Sequence, residues 1–179
     1  VGVAFKLAQA LLGAGMSERL TESYLKIVAI GAIADLVPLA GENRVMARLG
    51  LAALRQPVQV GLAALLKQAG LGGQPVTAGD VGFPIAPRLN AMGRLTSAMD
   101  ALRLLCTRKK DRAEELAQTL GLTNKERQQM TSDSVFHAKG EVEKFYGKEV
   151  LKKIVVISHD SYNPGIIGLV AGKLMEEHY

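Results

Sequence analysis

Residues 82–94 read GFPIAPRLNAMGR, with two prolines, two arginines, an asparagine and two glycines packed into thirteen positions between long apolar patterns. Pro84 and Pro87 disfavour the α region for the residue before each, and Gly93 permits a turn that other residues resist, so the stretch is expected to be a stiff binding loop. Arg88 and Arg94 would bring planar, fork-shaped donors to that loop, the chemistry suited to gripping a phosphate. The plainer alternative is a helix-to-helix connector with solvated arginines.

Charge is concentrated around the same stretch. Residues 82–110 hold Arg88, Arg94, Arg103, Arg108, Lys109 and Lys110 against Asp100 alone, which accounts for the whole net charge of +5; the rest of the chain balances. A basic segment of this kind is the footprint of a polyanion site. With 179 residues, 48% hydrophobic and 22% charged, the composition is that of a globular protein. The apolar runs are broken by charge before reaching membrane-spanning length, and no targeting segment is visible. A single cysteine, Cys106, excludes an internal disulfide, suits the cytoplasm, and in the run ALRLLC is expected to be a small buried hydrophobe. The chain begins at Val1, directly in a helical pattern without a cap, so it is expected to be a piece of something longer.

Upstream of residue 82 the pattern is helical. Residues 1–12 are near-continuously apolar, suggesting a helix buried on most of its surface and ended by Gly13 and Gly15. Ser17 with Glu18, or Thr21 with Glu22, can cap a helix through YLKIVAIGAIA, although IVAI could also be a short strand. Asp35 follows, a carboxylate among apolar neighbours just before Pro38. It either caps the next turn or binds a metal ion, which would offset its desolvation. Residues 42–55 are amphipathic, with Val45, Leu49, Ala52 and Ala53 as the expected buried side. Pro57 separates them from a short helix stopping at Gly70, and Thr77 or Asp80 can start one helical turn ahead of the basic stretch.

Downstream, Ser97 caps AMDALRLLCT. Asp111 opens a helical pattern of roughly 35 residues ending at Gly147, whose far half is sparsely apolar and reads as a connector. KKIVVIS, residues 152–158, is the clearest strand. It leads through HDSYNPG into a helix with Asn163 as N-cap and Pro164 at its first position, an arrangement that would offer free N–H groups to an anion. His137, His159 and His178 have no zinc-site spacing, and only His159, beside that loop, is placed to contact a ligand. No Walker loop or Ser-His-Asp arrangement is present, and four Phe, four Tyr and no Trp argue against extensive base stacking.

Three segments in order, VAIGAIADLVPL (28–39), IAPRLNAMGRL (85–95) and YNPGIIGLVAGKL (162–174), resemble the single-strand-specific exonucleases of the DHH phosphoesterase superfamily, and the opening VGVAFKLAQALL is similar to the helix after that family's third motif. The resemblance implies an α/β fold in which residues 1–105 form the mostly helical C-terminal part of a DHH lobe, 106–147 a connector helix, and 148–179 the start of a DHH-associated lobe that holds the DNA backbone. It implies that Asp35 ligates one of two divalent ions, manganese or magnesium. Arg88, Asn90 and Arg94 would lie near the scissile phosphate, with Arg88 and Asp35 as catalytic residues, and Asn163 and Gly165 would bind substrate. The implied activity is 5′-to-3′ hydrolysis of single-stranded DNA by a two-metal mechanism, in repair and recombination. The family's upstream aspartates and paired histidines and its downstream strands are absent, so the fragment alone is expected to be inactive. Tyr162 and Asn163 stand where many relatives have tryptophan and histidine. The alternatives are a phosphodiesterase for short oligonucleotides or cyclic dinucleotides, a pyrophosphatase, or a non-catalytic DNA-binding scaffold.

Overall fold

The structure, a computed structural model, describes residues 1–55, 59–147 and 154–178. The described residues are helical with no strand: α1 (Gly2–Leu12), α2 (Glu18–Ala34), α3 (Gly41–Leu54), α4 (Val60–Gln68), a single turn α5 (Ala78–Asp80), a π-turn (Val81–Ile85), α6 (Ala86–Leu95), α7 (Met99–Cys106), α8 (Lys110–Tyr146) and α9 (Ile167–His178).

Local signals set most of these boundaries. Ser17 starts α2 by accepting the Leu20 N–H at 3.3 Å, and Glu18 complements the positive end of the helix dipole. Thr77 and Asp80 form a reciprocal capping box at the start of α5. Ser97 accepts the Met99 N–H at 3.3 Å ahead of α7. The 37-residue α8 runs from Lys110 and stops at Gly147, which has φ 76°. Pro57 lies outside the described residues.

The basic stretch is helix rather than loop. Ile85 and Ala86, the residues flanking Pro84 and Pro87, both have right-handed helical angles, and Gly93 sits inside α6. Pro87 falls in the first turn of α6, where a missing N–H costs nothing. Pro84 is accommodated by widening the preceding turn to π geometry, in which the Ala86 N–H reaches back to the Val81 carbonyl.

The main core is built from Leu54 of α3, Leu62 and Leu65 of α4, Val81 and Ile85 of the π-turn, Leu104 of α7, and Leu116 and Leu120 of α8. α3 packs along α2 through Met46, Ala47, Gly50 and Leu54, leaving Val45 and Leu49 about half exposed. Gly50 decides that choice: a Cβ there would lie 2.1 Å from the Leu25 carbonyl oxygen. α1 is mostly exposed, contrary to its apolar pattern: only Phe5 is buried, packed with Leu25 and Val28 of α2 and Met46 of α3. Cys106 is exposed as well, at the last position of α7, where the helix leaves the core.

The α/β class does not hold for the described residues. Residues 154–158 alternate between exposed and half-buried as a strand would, but no ladder partner is present among the described residues. Instead the Tyr146 hydroxyl serves one residue of that missing ladder, accepting the Val156 N–H at 3.2 Å and donating to its carbonyl at 3.3 Å. Lys152 and Lys153, the start of the expected strand, lie outside the described residues.

Candidate nucleic-acid interface

α6 carries three of the side chains singled out in the sequence, and it presents them differently. Arg88 is half-buried and turned inward: Nε donates to Gln68 Oε1 at the end of α4, and Nη1 donates to the Pro84 carbonyl. Burial holds its pKa below the ordinary arginine value. It therefore ties α6 to α4 and to the π-turn. Asn90 and Arg94 are both exposed and, four residues apart, share one face.

Arg94 reaches the far end of the chain. Its Nη1 donates to the Gly165 carbonyl at 3.2 Å. The approach extends to the backbone, since a Cβ at Gly165 would lie 2.0 Å from the Arg94 carbonyl oxygen, so only glycine fits. Asn163 holds the turn by accepting the Gly165 N–H on Oδ1 at 2.8 Å, and α9 begins later than expected, at Ile167. Arg94, Asn163 and Gly165 are thus brought together on one rim.

Asp35 stands apart from them. It is the exposed C-cap of α2, neither sealed inside nor the cap of a following helix, and it precedes Leu36, an 88% exposed leucine at φ 54°. Such left-handed leucines are strained and concentrate where function demands them. α2 packs on both the π-turn and α6, but among the described residues no hydrogen bond or ion pair joins Asp35 to Arg88, Asn90 or Arg94.

The chain matches RecJ proteins along essentially its whole length. It is 44% identical over 179 residues to the single-stranded-DNA-specific exonuclease RecJ of Bacillus subtilis, covering 100% of this chain and 22% of that protein. The RecJ of Thermus thermophilus is 35% identical over 179 residues, with 98% of this chain and 25% of the relative covered. The crystal structure of Thermus thermophilus RecJ in complex with Mg2+ superposes with a TM-score of 0.85 at 34% identity, over 99% of this chain and 27% of that one. A crystal structure of exonuclease RecJ bound to manganese superposes with a TM-score of 0.85 at 33% identity, over 99% of this chain and 43% of that one. No protein-family model matches the chain. The chain is RecJ-like from end to end. It spans about a quarter of the length of these curated relatives.

Among the described residues no group of three or more His, Cys, Asp or Glu side chains could hold a metal, and Asp35 offers one carboxylate alone. The residues present do not by themselves fit a bound ion, and no chemical step is assigned here to one. No helix of the described residues is long and apolar enough to cross a membrane.

Two groupings were not visible in the sequence. Arg127 of α8 is half-buried beside α6, its Nη2 donating to Oδ1 of the buried Asn124 at 2.7 Å; burial, and then the charge of Arg94, lower its pKa. His137 Nδ1 lies 2.8 Å from the Tyr162 hydroxyl, and the His137 and His159 rings are 4.5 Å apart, so these histidines form a cluster rather than separate surface residues. Burial, followed by Glu141, raises the Tyr162 pKa. An apolar cavity of about 560 Å³ between α8, α9 and residues 155–157 is lined by Val142, Ile157, Val170 and Leu174. Among the described residues that line it there is no arginine.

Proposed function

We propose that this chain is the phosphate-gripping segment of a single-strand-specific exodeoxyribonuclease of the RecJ type, working on DNA in repair and recombination. In this reading residues 1–105 complete the catalytic lobe, 106–147 connect, and 148–179 open the associated lobe. The observation that carries it is the hydrogen bond from Arg94 to Gly165, which joins the basic helix to the Asn163 turn from 71 residues away. Two features named independently in the sequence meet at one exposed rim.

Arg94 and Asn90 hold backbone phosphate and sugar, and Asn163 and Gly165 fix the facing turn. Arg88 acts from behind by locking the π-turn under α6. Contacts to phosphate rather than base edges give little sequence preference and an affinity that falls with salt. Hydrolysis, its 5′-to-3′ direction and its manganese or magnesium ions belong to the longer protein, to whose ion site Asp35 contributes one carboxylate. The Mg2+ and Mn2+ complexes of RecJ support divalent ions in the longer protein.

The test is binding of a fluorescent single-stranded oligodeoxythymidylate by the intact protein in EDTA across a salt series. Arg94→Ala is expected to weaken binding and to reduce the slope of log affinity against log salt by about 0.7, the share of one single-strand phosphate. An unchanged slope would defeat the backbone reading.

A further inference from the structure

Arg127 is oriented but not neutralised. Its Nη2 donates to Asn124 Oδ1 at 2.7 Å, and Asn124 is 4% exposed, so the amide that aims the guanidinium is itself fixed in the core. Arg94, on the helix packed against α8, is oriented in the same manner by a neutral acceptor, the Gly165 carbonyl. Among the described residues neither arginine has a carboxylate partner, whereas Arg103 and Arg112 pair with Asp100 and Glu115. A guanidinium aimed by an uncharged acceptor keeps its full charge and its remaining N–H groups. The exposed Arg94 and the half-buried Arg127 are like charges on packed helices, and an anion between them would offset their repulsion.

We propose that Arg127, aimed by the buried Asn124, is a further phosphate-binding residue that grips with Arg94 one phosphodiester group of a bound single strand, where α6, α8 and the 163–165 turn meet. The inference rests on the backbone-binding reading above and extends it to the connector helix, which becomes a wall of the strand's path as well as a spacer. Asn124 is a positioning residue for Arg127.

The same EDTA binding assay, run on Arg94→Gln, Arg127→Gln and Arg127→Lys of the intact protein with a thermal melt of each, tests it. Arg127→Gln is expected to weaken oligodeoxythymidylate binding about tenfold or more and to lower the salt slope by part of the about 0.7 that belongs to the phosphate it shares with Arg94, without shifting the melt. Arg127→Lys is expected to restore the slope, since the charge remains, with affinity partly recovered. If Arg94→Gln lowers the slope and Arg127→Gln does not, the proposal for Arg127 is overturned while the backbone reading stands. If neither does, both fail. Equal losses in the Gln and Lys variants that track a lowered melt would make Arg127 a structural arginine and overturn the proposal.

Discussion

Arg88 and Arg94 lie six residues apart on α6, about a third of a turn from one another around its axis, and that angle separates their work. Arg88 spends its N–H groups on Gln68 and Pro84, while Arg94 points across to Gly165. A sequence shows two arginines of equal promise; the direction in which the helix turns each one sets the partner it meets. Asp35 needs the same scrutiny. Its neighbours in sequence are apolar, yet it is exposed at the end of α2, so no desolvation has to be offset, and what marks it is the left-handed Leu36 beside it. If Asp35 is one ligand of a shared ion site, Asp35→Asn keeps shape and removes charge. Losing partners outside the coordination sphere already costs about 10–100-fold, so losing a ligand should lower metal-dependent digestion by the intact protein by at least about a hundredfold, with single-strand affinity in EDTA within about twofold. Near-normal digestion would remove Asp35 from the site.

At the scale of elements, the signals that proved readable are the ones that act within a few residues: Ser17, the Thr77–Asp80 box and Gly147 each satisfy or terminate a nearby backbone group. What escaped the sequence depends on a partner element. Hydrophobicity favoured Val45 and Leu49 as the inner face of α3, but Gly50 lets α2 approach so closely that the smaller face wins. Residues 154–158 have a strand's composition and lack a ladder, and Arg127 acquires meaning only once α6 lies beside α8. The capping box also carries a pH signature. Asp80 Oδ2 accepts from the Thr77 hydroxyl at 2.7 Å and the Thr77 N–H at 2.8 Å, and these bonds hold its pKa below the usual carboxylate value. A depressed carboxylate stabilises the fold above its unfolded pKa, and that contribution is lost as pH falls through the folded one. Thr77→Ala should therefore destabilise the protein near neutrality and progressively less as pH drops below the carboxylate range. Urea midpoints of the two proteins at about pH 7 and about pH 3 should converge at the lower value; a constant gap would mean that the hydroxyl acts only on the backbone N–H of Asp80.

Over the whole molecule, α8 is the helix against which α4, α6, α7 and α9 all pack. Its first half buries Ala113, Leu116, Ala117, Leu120 and Asn124 against α4, α6 and α7, and its second half buries only Ala138 and Val142. Beyond the first half, His137 ties α8 to the Gly165 turn through the Tyr162 hydroxyl at 2.8 Å, and α6 meets the same turn through Arg94. Leu120 is fully buried in the main core, and truncating it leaves a void there, where cavity formation adds to lost burial. Leu120→Ala is expected to cost about 2–5 kcal/mol of stability, whereas Phe136→Ala, at a side chain 83% exposed on the same helix, should change it by less than about 0.5 kcal/mol. Chemical denaturation of both variants checks the pair. Equal losses would mean that α8 is stabilised uniformly along its length, and that the connector is as much core as the lobe it leaves.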